Sequence, residues 1–106
     1  MKTILYQLAR LDINAAQDWY NDEQPGLGEE FTDEFYDALQ WLERQPGMGS
    51  KRYAHLMPGA QLRCWSLDRF PFLLFYRCVQ RTDGMTLEVI RVIHENRDIA
   101  KAWLKH

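Results

Sequence analysis

The side chains that could do chemistry cluster in the second half of the chain. Arg63, Arg69, Arg77, Arg81, Arg91, His94 and Arg97 are interleaved with Trp65, Tyr76 and Trp103 over some forty positions. Guanidinium forks bind phosphate through paired hydrogen bonds, and a histidine exchanges a proton near neutral pH, so such a set could bind or cleave RNA. A solvated strand face would carry much the same residues. No phosphate-binding glycine loop, GxSxG or zinc spacing accompanies them. His55, His94 and His106 are too widely spaced to suggest a metal site by themselves, so neither metal nor cofactor is expected. Cys64 and Cys78 fall within strand-like stretches, where a free cysteine behaves as a small apolar residue.

These residues need a frame, and its centre is the run Arg69-Phe70-Pro71-Phe72-Leu73-Leu74-Phe75-Tyr76, which has no polar face to show to water. A strand that is apolar on both faces must be covered on both, so Phe72 to Val79 reads as a central strand. Leu62 to Leu67 alternates as the strand before it, with Asp68-Arg69-Phe70 as the reversal. Thr82-Asp83-Gly84 is a hairpin turn, and Leu87 to His94 forms the last strand. Strict alternation would put Glu88, Ile90, Val92 and His94 on one face. Asp98 can cap a short final helix holding Ile99, Ala102 and Trp103.

The first half reads as helical. Ile4, Tyr6 and Leu8 suit a short opening strand, and Asp12 can cap a helix whose stripe is Ala15, Ala16, Trp19 and Tyr20. Pro25-Gly26-Leu27-Gly28 ends that helix. A second helix, about Glu29 to Arg44, aligns Phe31, Phe35, Ala38, Leu39 and Leu42. So short a connection makes the two an antiparallel hairpin with one shared apolar surface. Gly47 to Gly59 reads as an irregular, basic connection. The expectation is an α+β fold, an antiparallel four-stranded sheet in the order β-α-α-β-β-β, with the hairpin on one face and basic residues on the other.

Composition bounds the rest. At 106 residues, 46% hydrophobic and 26% charged, the chain is expected to form a single domain, residues 1–106. Its apolar runs are far shorter than the ~20 residues that span a bilayer, and the N-terminus lacks a secretory pattern, so a cytoplasmic protein without membrane contact is expected. The net charge of −2 hides an asymmetry. Residues 1–48 carry three cations against ten acids, and residues 49–106 carry ten cations against five acids. Such a dipolar molecule offers different faces to an anionic partner.

Four stretches together resemble the RelE/ParE toxin family: Asn14-Ala15-Ala16 through Trp19-Tyr20, Pro25-Gly26-Leu27-Gly28 with Phe31, Arg69 to Tyr76, and Val92 to Asp98 with Trp103. The resemblance runs nearly end to end and implies the same helical hairpin on a sheet. It further implies the toxin of a type II toxin–antitoxin pair, of the plasmid-stabilization kind, neutralised by a small cognate antitoxin and reaching operator DNA only through it. RelE-like members cut messenger RNA in the ribosome, whereas ParE-like members poison DNA gyrase. Two features side with ParE: Leu73 stands where the nucleases carry an arginine, and Ala102-Trp103-Leu104 offers no match for their late tyrosine. An acidic chain also suits RNA poorly. Against this, His94 and Arg97 are retained. In the gyrase reading, Arg63, Arg69, Arg97 and Trp103 are target-binding candidates; in the nuclease reading, Arg77, His94 and Arg97 are catalytic. Trp19, Tyr20 and Trp41 are the antitoxin-binding candidates.

Overall fold

The computed structural model describes residues 1–104; His106 lies outside them. Strand β1 (Lys2–Leu5) leads into helix α1 (Gln7–Glu23), which is followed by α2 (Leu27–Arg44) and single 3₁₀ turns at Pro46–Met48 and Ala54–Leu56. Strands β2 (Arg63–Ser66), β3 (Phe72–Arg81) and β4 (Gly84–His94) come next, and α3 (Ile99–Leu104) closes the described chain. The fold is α+β, with the strands ordered β1-β4-β3-β2.

The joint between the helices shows why Pro25-Gly26-Leu27-Gly28 has its composition. Gly26 takes φ +92, where L side chains are strained. The Asn21 side-chain oxygen accepts from the backbone N–H groups of Gly26 and Gly28, at 3.1 and 2.8 Å. At Gly28 a Cβ would lie 2.3 Å from the Gln17 carbonyl oxygen, so only glycine lets the helices approach there. α2 carries Glu29 and Glu30 in its first turn and Arg44 in its last, as the helix dipole favours. Its buried stripe of Phe31, Phe35, Leu39 and Leu42 meets Ala9, Ile13 and Ala16 of α1 and Leu74, Tyr76, Leu87, Val89 and Val92 of the sheet.

The structure departs from the sequence expectations in four places. β1 stops at Leu5, so Leu8 and Ala9 are helical, and Asp12 sits inside α1 instead of capping it. β1 pairs with β4 in parallel, Lys2 opposite Thr86 through Leu5 opposite Val89. The reason is the long return from Gln45 to Leu62, which brings β2 in along the same direction as β1; β3 reverses and β4 reverses again. Third, the alternation of β4 breaks. Phe75 faces Arg91 and Tyr76 faces Val89, leaving Ile90 as the extra residue of a bulge. Leu87, Val89 and Val92 therefore all face the helices, while Ile90 and Ile93 face the other way. Fourth, that other face is not an open basic surface. Leu73, Phe75, Ile90 and Ile93 pack there with Leu62, Ile99 and Ala102, under Tyr53, Leu56, Met57 and Trp103.

Candidate functional site

The two faces of β3 divide the cations that the sequence places side by side. Even-numbered Phe72, Leu74 and Tyr76 look toward the helices, and odd-numbered Leu73, Phe75 and Arg77 look away. Arg77 lies opposite Glu88 and Phe72 opposite His94. Five residues at ~3.4 Å each separate those two pairs, about 17 Å. The structure thus brings His94 and Arg97 together and leaves Arg77 far from them, on the other face.

Arg77 belongs to a polar cluster built around a buried carboxylate. The Glu88 side chain is 1% exposed. Its Oε1 accepts from the Tyr6 hydroxyl at 2.6 Å, and Arg77 donates both to that hydroxyl (2.9 Å) and to Oε1 (3.4 Å). Its Oε2 accepts from Arg81 and from the Thr86 hydroxyl, the latter at 3.1 Å. Burial alone would raise the carboxyl pKa. The hydrogen bonds from Tyr6, Arg81 and Thr86 and the Arg81 charge outweigh it and lower it from 4.5 to about 2. The Tyr6 hydrogen bond, ahead of the Glu88 charge, raises the Arg77 pKa above its ordinary value.

Other arginines are likewise committed within the molecule. Arg63 donates to the Gly47 and Gly49 carbonyls at 3.1 and 2.9 Å. Beside it the Tyr76 hydroxyl donates to the Pro46 carbonyl (2.7 Å) and accepts from Gly49 N–H (3.0 Å), so the segment after α2 is clamped to the sheet. Burial raises the Tyr76 pKa. Arg69 pairs with Glu30 at 3.0 Å and stacks over Phe70. Arg91 holds Asp12 with two nitrogens, at 2.7 and 3.0 Å, and donates to the Ala102 carbonyl at 3.0 Å, joining α1, β4 and α3. Trp103 sits edge-on to Phe75 with centroids 5.3 Å apart.

The surviving site is a cavity of about 250 Å³ between α1 and the end of β4. Trp19 and Tyr20 come from α1, Phe72 and His94 from the paired strand ends, and Arg97 from the turn beyond β4. Trp19 is 65% exposed, large for an indole. Tyr20 is anchored against Phe70, Phe31 and Phe72, and burial raises its pKa. His94 lies edge-on to Phe72, and its Nδ1 accepts from Asn96 N–H at 3.1 Å. The cavity offers an indole anchor, a guanidinium and an imidazole, a set suited to gripping a partner side chain and its carboxylate. Trp41 is elsewhere, on the α2 side, in a separate groove with Trp65.

Tyr6, Glu88 and Asp12 as partners of the arginines were missed in the sequence, though a single carboxylate inside Leu87-Glu88-Val89-Ile90 was a signal for a paired, buried charge. Among the described residues no group of three or more His, Cys, Asp or Glu could hold a metal. Burial raises both thiols, Cys64 and Cys78. No helix is long and apolar enough to cross a membrane among the described residues.

A family model described as the ParE toxin of type II toxin–antitoxin system, parDE, matches residues 4–99. Among solved structures, a chain of the chromosomal ParDE toxin–antitoxin system from P. aeruginosa superposes with a TM-score of 0.71 at 21% identity, covering 89% of this chain and 95% of that one. No curated protein matches.

Proposed function

We propose that this chain, which belongs to the ParE toxin family of type II toxin–antitoxin systems, arrests growth by binding DNA gyrase in the cytoplasm through its folded surface, and is neutralised there by a cognate antitoxin. The observation that carries the choice of target is Leu73. It is 1% exposed and packed with Phe75 and Ile93 beneath the Tyr53–Met57 segment. An arginine at that position would be buried without a partner, at a cost of several kcal/mol, and Arg77 is spoken for by Tyr6 and Glu88. In-line attack on RNA needs an acceptor, a donor and a cation around one phosphate. Arg77 stands about 17 Å from His94.

Arg97 and His94 lie beside Trp19 and Tyr20, so a target-binding candidate and two antitoxin-binding candidates share one cavity. Neutralisation then follows from occupancy: an antitoxin segment seated on Trp19 covers Arg97. Arg63 and Trp103 are held in internal contacts and contribute to the target surface mainly by shaping it, whereas Arg69, exposed and in a surface pair with Glu30, is available to a partner directly.

The test is a supercoiling assay with purified protein and gyrase, paired with translation in a cell-free extract. Loss of supercoiling with translation intact is the expected result. Normal supercoiling at saturating protein would overturn the gyrase reading, and mRNA cleavage abolished by His94→Ala and Arg97→Ala would replace it with a ribosome-dependent endoribonuclease.

A further inference from the structure

A second groove, of about 450 Å³, runs between α2 and the β2–β3 turn, away from the Trp19 cavity. α2 presents Glu34, Asp37 and Trp41 to it at i, i+3 and i+7, one face of the helix. The opposite wall is Trp65 of β2 and Asp68 of the turn. Glu34 builds the groove: its carboxylate accepts from the backbone N–H groups of Asp68 (2.5 Å) and Arg69 (3.2 Å), tying the turn to the helix. With Glu34 so engaged, Asp37 and Asp68 are left as exposed carboxylates, each without an ion-pair partner among the described residues. Trp41 is 39% exposed, and neither indole stacks on another ring among the described residues.

We infer that this groove docks a cationic extended segment of a protein partner, with a Lys or Arg side chain between the indole faces and its charge between Asp37 and Asp68. Indole is the strongest cation–π acceptor among side chains, and a carboxylate on each side gives the ammonium or guanidinium its hydrogen bonds. The same carboxylates repel phosphate, which excludes nucleic acid and anionic lipid as occupants. The apolar floor of Ala38 and Leu67 takes the aliphatic stem or a neighbouring apolar side chain. That the segment belongs to the antitoxin rests on the reading above; the chemistry of the groove does not. The two docking sites then have opposite demands: an acidic segment for the Arg97 cavity and a basic one here.

The test uses the whole chain and two synthetic peptides, one alternating Leu with Arg and Lys, the other alternating Leu with Glu. Indole N–H resonances in two-dimensional NMR report which tryptophan each peptide reaches. The basic peptide should shift Trp41 and Trp65 and leave Trp19 unmoved, and Asp37→Asn with Asp68→Asn should weaken its binding about tenfold, with a steep loss in salt. Both substitutions are at exposed positions, and an unchanged unfolding curve is expected for the double variant. Equal binding of the acidic peptide, unchanged affinity in the double variant, or a self-association of the chain that the double variant abolishes would each overturn the inference. The double variant should still block supercoiling. Failure of the unsubstituted protein to block supercoiling sinks the gyrase reading alone, and peptide binding unaffected by the double variant sinks the groove alone.

Discussion

At the scale of single residues, Glu88 and Leu73 decide what β3 and β4 can do. Glu88 is a carboxylate that the fold has removed from water and surrounded with Tyr6, Arg77, Arg81 and Thr86. Its pKa is about 2 in the folded protein against 4.5 for the free group. A depressed folded pKa contributes stability that is fully present above the unfolded value and is lost as pH falls through the folded one. Thermal unfolding followed by circular dichroism should therefore show a fall in stability from about pH 4.5 down to about pH 2. Glu88→Gln should flatten that part of the profile and lower stability at pH 7 by about 2–3 kcal/mol, because two guanidinium groups lose their counter-charge. A profile for the variant that still tracks the parent would show that other carboxylates carry the acid transition. The Asp12–Arg91 pair is a parallel case. Asp12→Ala should cost about 3 kcal/mol in urea unfolding, since it strips the nearly buried Arg91 of its carboxylate partner on α1.

At the scale of elements, the bulge at Ile90 and the joint at Gly28 set the geometry. Side chains alternate with period 2, so an extra residue in β4 exchanges the faces of everything beyond it. Without that residue His94 would leave the Phe72 side of the sheet, and the Trp19 cavity would lose its imidazole. Deleting Ile90 should abolish folding or leave a chain without the Phe72–His94 contact, seen as loss of chemical-shift dispersion, whereas Ile90→Val should cost about 1 kcal/mol and keep the register. At the helical joint, Gly28→Ala would push a Cβ to 2.3 Å from the Gln17 carbonyl oxygen. A drop in melting temperature of several degrees is expected, about 2 kcal/mol of overpacking. A melting temperature equal to the parent's would show that α1 and α2 can separate locally at no cost.

At the scale of the whole molecule, the division of charge takes on a spatial meaning. The acidic half of the sequence becomes the helical hairpin, with the Asp37 groove on one side, and Arg97 stands at the far end of β4 in the other cavity. In the basic half much of the charge is spent internally, on Glu88, Asp12 and the carbonyls after α2. Under the proposed gyrase reading, inhibition is therefore expected to depend on few exposed cations. Arg97→Ala should reduce supercoiling inhibition at least tenfold with an unchanged unfolding curve, and Arg63→Ala should lower stability first. If Arg97→Ala retained full inhibition, the target surface would lie outside the Trp19 cavity.

Much of this protein was legible in its sequence because it rests on local rules. Helical stripes, the Pro25–Gly28 stop, the Asp-Gly hairpin and the doubly apolar β3 depend on neighbours within a few residues, and so the helical hairpin, the three-strand meander and the family resemblance could be read directly. Trp19 and Tyr20 were visible as a stripe, and His94 and Arg97 as residues retained within the family resemblance. What depended on distant partners was not legible. The parallel pairing of β1 follows from how the chain returns between Gln45 and Leu62, the bulge at Ile90 from fitting β4 against β3, and the pairing of Arg77 with Glu88 and Tyr6 from strands that meet only in the folded sheet. Residue types announced a set of arginines; tertiary structure alone decided which of them face water, because a buried carboxylate claims its counter-ions by proximity in space.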